Sequence, residues 1–397
     1  MKMRWLALCV ALTAMAPAPN PPKGDYLFVW ASDMGAKTSD FLAVIDADSR
    51  SPHYGEIVAT APSGVANGRA HHTEHQMPAG GILFANGFGA AKTFLFDLRS
   101  PLQPRVAGSF GDAGEYMHPH SFARTPSGTV LATYQMCGRG NDEAGALVEL
   151  SADGKVMRTS AAADPTVEPF IRPYSLAVVT AIDRVVTSSA DMHGKDTSRA
   201  VQLWRLSDLK LLKTIRLPAG PGGKENEDPA EPRVLADGRT VVVSTFNCGM
   251  FLFGGLETPA PSATFIHAFA GGNECALPVV AGRYWVATDT RIGLISMDMS
   301  EPSRPKEVSR LALPGGQGSH WIALAPDGRR IVISGGKNAF ETRVLMARID
   351  PATGQLSLDA TFRDKGSSTP GVSFDRASWP HGPTGKAMPH GAVFSRP

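Results

Sequence analysis

Apolar residues come along this chain in short runs, such as Gly81-Ile-Leu-Phe-Ala-Asn86, Thr240-Val-Val-Val-Ser-Thr245 and Arg330-Ile-Val-Ile-Ser334, each closed off by Gly, Pro or Asp. No long stretch keeps the spacing of an amphipathic helix, so the pattern predicts strands. Many short strands at even intervals predict a closed all-β architecture, a propeller or a sandwich.

A repeat decides between the two. His120 is followed six positions later by Pro126, then by a turn and the strand Thr129-Val-Leu-Ala-Thr133; His72 and Pro78, Glu231 and Asp237, and His320 and Pro326 stand in the same relation to their strands. Tyr174 and Cys275 fit more loosely ahead of Arg184-Val-Val-Thr-Ser188 and Tyr284-Trp-Val-Ala-Thr288. These six anchors recur about every 50 residues, the period of a four-stranded blade. A second motif, Asp97 to Arg105, matches Asp298 to Lys306 in the spacing of its Asp and two prolines and predicts one outer turn used in the first and fifth units. A seventh anchor, His390, opens a strand that runs out of chain, while Tyr26-Leu-Phe-Val-Trp30, Phe41-Leu-Ala-Val-Ile45 and Glu56-Ile-Val-Ala59 lack an inner partner. The expectation is a single domain over residues 25–397, a seven-bladed β-propeller whose termini share the last blade and leave no open sheet edge.

In a propeller the innermost strand of each blade faces the axis, so the anchors should form one ring: His72, His120, Tyr174, Glu231, Cys275, His320 and His390. Closure makes the four histidines neighbours. Neutral imidazole ligates copper, zinc, iron and nickel, and a set without carboxylates favours copper, with iron the alternative. His72, His120, His320 and His390 are therefore the expected ligands. Glu231 and Tyr174, across the channel, are candidates to orient a substrate or a ligating ring. Strand alternation puts His118 on the face of His120, as a further ligand or a base at the channel mouth, and puts His71 and His75 on the face opposite His72. Glu74 shares the parity of His72, and His381 lies in a loop able to cover the mouth. The other reading of this ring is a polar, water-filled channel.

Composition narrows the function. With 39 Lys+Arg against 37 Asp+Glu and no basic run, nucleic acid is not an expected partner. Residues 1–18 read as an export signal, with Lys2 and Arg4 before the apolar run Trp5 to Met15. That run is too short to span a bilayer, so a periplasmic or secreted protein without an integral span is expected. Cys9 lies in this segment; beyond it are Cys137, Cys248 and Cys275, an odd number that allows one disulfide in an oxidising compartment. Cys275, at the axis, is either a soft ligand or a buried inert thiol. No nucleophile elbow, phosphate-binding loop, zinc-protease helix or dinucleotide motif is present.

The chain resembles the selenium-binding protein / methanethiol oxidase family. Asp40-Phe-Leu-Ala-Val-Ile-Asp46 with Ser51-Pro52 is similar to its opening strand, His71-His72 to its paired histidines, and His120 before the Ala123 to Gly128 turn to its second histidine strand. Glu231-Pro-Arg233, the Asp298 to Pro305 turn and Pro389-His390 are similar to further family features, so the likeness extends from about residue 26 to 394. The resemblance implies a seven-bladed propeller whose axial histidines, His71 among them, bind copper, and which oxidises methanethiol with oxygen to formaldehyde, hydrogen sulfide and hydrogen peroxide. Three departures stand out. Thr73-Glu-His-Gln-Met-Pro78 occupies the place of the family's cysteine-rich segment, which argues against selenium binding; His118 and His120 are two apart rather than three; and His320 stands where many relatives have another residue.

Overall fold

The computed structural model describes residues 25–138, 143–168, 170–194, 196–269, 274–314, 318–335 and 342–396. The expected export signal lies outside them. Seven antiparallel sheets make a ring, each led by an inner strand. In blade 1 the order from the axis outward is Ala70–Thr73, Ile82–Gly87, Lys92–Asp97 and Arg105–Phe110. Blades 2 to 6 begin with Tyr116–Arg124, Pro173–Val179, Pro229–Val234, Pro278–Ala281 and Trp321–Leu324. Blade 7 is the expected closure: the C-terminal strand Ala387–Phe394 is innermost and pairs with Tyr26–Asp33, which leads outward to Ser39–Asp46 and Ile57–Ala66.

Burial explains the patterning. Blades pack face to face through separate apolar clusters, for example Trp30, Phe94 and Phe96 between blades 7 and 1, or Trp285, Met250 and Met297 between blades 4 and 5. Both faces of most strands are therefore covered, which is why runs such as Val241 to Val243 are continuously apolar rather than alternating. Only the outermost strands alternate, as in Val156–Ala161. The repeated turn falls between third and fourth strands in blades 1 and 5, where the Asp97 and Asp298 carboxylates accept from the backbone N–H two residues on, at 3.2 and 2.8 Å. Among the described residues the helices are two short 3-10 turns, and no helix is long and apolar enough to cross a membrane.

Cys275 is neither an axial ligand nor a thiol. Its Cα lies 4.7 Å from that of Cys248, and the two form a disulfide that ties blade 4 to blade 5. The bond closes a loop with a sequence separation of 27. Replacing both cysteines by alanine is expected to lower the unfolding free energy by about 3 kcal/mol, because the released loop regains entropy in the unfolded chain. A urea midpoint unchanged by the double substitution would contradict this.

Candidate metal centre at the propeller axis

The inner strands start with an irregularity. Pairing with the second strand shifts register between Ala70 and Thr73, Pro119 and Phe122, Pro173 and Leu176, and Pro229 and Pro232. Such a bulge breaks strand alternation and allows two consecutive side chains to face the same side. The axis is consequently lined by two tiers rather than one ring.

Hydrogen bonds between blades mark the tiers. Asn86 Nδ2 donates to the His120 carbonyl at 2.9 Å, Thr133 Oγ1 to that of Tyr174 at 2.9 Å, and Ser244 Oγ to that of Ala276 at 2.8 Å; Ser188 and Ser334 donate likewise to Ala230 and His390. The first tier is thus His71, His120, Tyr174, Ala230, Ala276, His320 and His390. The next residue in each blade forms the second: His72, Ser121, Ser175, Glu231, Leu277, Trp321 and Gly391. Backbone N–H groups of this tier donate to the same second-strand side chains, as His72 does to Asn86 Oδ1 at 2.6 Å and Ser121 to Thr133 Oγ1 at 3.0 Å.

The single ring expected from sequence mixes these tiers. His72 and Glu231 belong to the second, and the equivalent of Cys275 is Ala276. The expectation that His71 turns away from His72 is also overturned, because the bulge at Ala70 to Thr73 brings both rings inward, 4.2 Å apart between centroids.

His71, His72 and His120 come nearest to one another. One nitrogen from each lies within 4.8 Å of the other two, and all three residues are buried. Ring centroids of His72 and His120 are 4.2 Å apart, and those of His71 and His120 5.0 Å. His390 flanks the group, 4.2 Å from His71 and 5.8 Å from His72. His320 stands one step further out, 4.9 Å from His390 and 6.5 Å from His71.

The nitrogens divide in a consistent way. His120 Nδ1 donates to the Tyr174 carbonyl at 2.6 Å, His72 Nδ1 meets Ser121 Oγ at 2.9 Å, and His71 Nδ1 lies 3.5 Å from His390 Nδ1. Nε2 of all three rings is buried without a hydrogen-bond partner. A buried polar atom left unsatisfied costs about 1–3 kcal/mol, so three on neighbouring rings describe a site suited to something that accepts their lone pairs. Burial, reinforced by neighbouring imidazoles, holds His71, His72 and His390 well below the ordinary histidine range. Burial also lowers His120 to about 4, even though the Tyr174 carbonyl pulls the other way. The imidazoles are therefore neutral at pH 7 and able to ligate.

Tyr174 packs tilted against His120, with centroids 4.2 Å apart, and its hydroxyl is buried without a partner. Burial and then the charge of Glu231 raise its pKa well above the usual phenol value, so it keeps its proton. Glu231 is fully buried. Its Oε2 accepts from Arg233 at 2.6 Å and from Ser175, while Oε1 has no partner. Burial would raise this carboxyl, but the Arg233 guanidinium first, with the Ser175 hydroxyl beside it, outweighs burial and holds the group at about 2.

The remaining histidines separate. His118, in the left-handed region at φ 58°, directs Nδ1 at the Phe88 carbonyl 3.3 Å away and stands against His193, with centroids 5.0 Å apart. Phe88 lies between this pair and His71 and His120. His75 lies flat on Trp321, which in turn packs on His72. Both nitrogens of His381 meet threonine hydroxyls, at 2.8 and 2.7 Å, as in an ordinary loop. Glu74 is buried in a fork with Arg124. Sequence reading passed over Ser121, Trp321 and His193; the first two carry the second-tier register and were legible only once the bulge is known, and His193 follows no repeat.

No family model matches the sequence, and no curated protein is significantly similar to it. Among solved structures, the chain is similar to a hypothetical selenium-binding protein from Sulfolobus tokodaii, with a TM-score of 0.72 and 15% identity over 95% of this chain and 94% of that one. It is also similar to a periplasmic gluconolactonase from Pseudomonas aeruginosa, with a TM-score of 0.65 and 12% identity over 94% and 99%. A third likeness is to a putative 6-phosphogluconolactonase from Bacteroides uniformis, with a TM-score of 0.61 and 12% identity over 94% and 99%. At such identities the likeness is one of fold, and the chain is a seven-bladed β-propeller with neighbours of selenium-binding and lactonase type.

Proposed function

We propose that the axial histidines hold one transition-metal ion, copper before iron, and that the protein is an oxidase acting on a small thiol or related reduced molecule with oxygen as acceptor. The oxidase part rests on the sequence resemblance to the selenium-binding protein / methanethiol oxidase family. The metal part is carried by one observation: three buried Nε2 atoms without partners, each on a ring whose Nδ1 already faces a neighbouring polar atom. His71, His72 and His120 would hold the ion, with His390 and His320 the next nitrogens outward. An all-imidazole set, with Cys275 consumed in a disulfide, suits copper or iron rather than a hard cation. Bound there, such an ion supplies Lewis acidity and one-electron redox chemistry.

The chain's own groups complete the site. The Tyr174 hydroxyl is a protonated donor, and ionised Glu231 Oε1 is an acceptor for an S–H or O–H hydrogen. The Tyr174 carbonyl and Ser121 orient the rings of His120 and His72. Trp321, fully buried against His72, keeps water from that side. Complete burial of His72 and His120 also favours a second reading, a non-catalytic propeller that binds metal or a partner. In either case the Cys248–Cys275 disulfide supports a periplasmic or secreted location.

Elemental analysis after reconstitution with copper or iron, paired with oxygen uptake over methanethiol and other small thiols, tests both. One equivalent of metal with oxygen uptake is the expected result. Metal without uptake leaves the non-catalytic reading, and retention below about 0.2 equivalents removes the metal centre and leaves only the partner-binding form of that reading.

A further inference from the structure

Where the inner strands end, beyond the second tier, the axis widens into a chamber of about 840 Å³. Its walls mix apolar side chains such as Leu176, Val234, Val279 and Leu324 with polar ones, and three arginines, Arg124, Arg233 and Arg396, line it. Arg124 forks onto Glu74, with Nε 2.8 Å from Oε1 and Nη2 3.1 Å from Oε2, and also donates to the Ile82 carbonyl at 3.0 Å. Arg233 is held by Glu231 at 2.6 Å, by the carbonyls of Pro232 and Pro278 at 2.9 and 3.1 Å, and by His75 Nε2 at 3.0 Å.

In both pairs the carboxylate lies behind its arginine. The side chains of Glu74 and Glu231 are 4% and 0% exposed, against 25% and 15% for Arg124 and Arg233. Both Glu74 oxygens are occupied, Oε2 also accepting from the Phe84 N–H at 3.0 Å. His75 Nε2 accepts from Arg233, which places the ring proton on Nδ1, and that atom has no partner. At the rim, the exposed Arg396 adds a positive charge after the closing strand. The chamber thus presents N–H donors fixed in advance by backbone carbonyls, and the charges that balance them are turned away. Preorganised guanidinium donors beside apolar walls recognise an anionic oxygen group on a compact apolar body.

We propose that this chamber binds a small organic anion, a carboxylate or a phosphate monoester, gripped by Arg124 and Arg233 with His75 at its floor. The site goes beyond the metal centre and does not depend on it, so the two stand or fall separately. The test is calorimetric titration of the metal-free full-length chain with phenylacetate, phenyl phosphate and, as the neutral counterpart, phenylacetamide. At least one anion is expected to bind at one site, about tenfold or more tighter than the amide, and the preferred anion tells carboxylate from phosphate. The Glu74→Gln/Arg124→Met double substitution, which leaves no stranded carboxylate, is expected to weaken that anion about tenfold. Arg124→Lys keeps the charge without the fork and should fall between, and Arg396→Gln, at an exposed position, should reduce the salt dependence of binding. The proposal is overturned if neither anion binds at about 10 mM, if the amide binds equally well, or if the folded Arg124 variants bind as the wild type does.

Discussion

Replacing His72 or His120 by alanine is expected to abolish stoichiometric metal binding, weakening affinity by at least about two orders of magnitude, since even loss of an outer partner of a ligand costs 10–100-fold. Both residues are fully buried, and each offers an Nε2 with nothing else to meet. His71→Ala should behave alike. The flanking positions set up an internal scale: His390→Ala should cost less, and His320→Ala, whose ring is 6.5 Å from that of His71, less again. His118→Ala should leave affinity unchanged, because Phe88 separates that ring from His120. Competition against a chromophoric chelator reads all of these on one scale. Wild-type affinity in folded His72→Ala and His120→Ala proteins would remove the centre from the axis.

Acidification should charge the buried imidazoles of the metal-free protein and destabilise it, against a partial offset from Asp40 and Asp228, whose carboxyls burial raises to about 6 and which therefore take up protons first in the folded state. His120 is held at about 4 in the folded state against an ordinary 6.5, and His71, His72 and His390 are shifted in the same direction by burial. Below about pH 6.5 the unfolded chain therefore binds more protons than the folded one, and stability falls as pH drops until the folded values are passed. His120 alone accounts for up to about 3 kcal/mol between pH 6.5 and 4. Glu231, held at about 2, contributes stability present above its ordinary value and lost only as pH falls further toward 2, so it extends the decline rather than opposing it. Urea midpoints measured from pH 7.5 to 4.5 on metal-free protein should decline steeply, and bound metal, which competes with protons for the same nitrogens, should flatten the upper part. A pH profile left unchanged in a folded His120→Gln variant would mean that this imidazole is not buried as a neutral group.

Blade count, closure and the outer turn were legible because they depend on local signals. Alternating strand and turn residues state where a strand stops, and Asp97 and Asp298 carry their own backbone hydrogen bonds. The tier structure was hidden for an equally local reason. A one-residue bulge leaves the apolar strand that follows unchanged, so aligning repeats on that strand places His72 beside His120 and Cys275 beside Tyr174, each displaced by one. Alternation turned His71 to the face opposite His72, although the family resemblance counts it among the axial histidines; a bulge suspends the alternation rule. Arg233 appeared only within a short motif and Arg124 drew no notice, because an arginine behind which a carboxylate is buried looks no different, in sequence, from any other on a strand.

The chain alone determined that it folds as seven blades closed by its own termini, and that histidines recur where those blades meet the axis; periodicity and the spacing of turns suffice for that. Which imidazoles meet, which nitrogens are left for a ligand, which cysteines join and where arginine faces open space were decided by tertiary structure, since these depend on single-residue register and on packing between segments hundreds of positions apart.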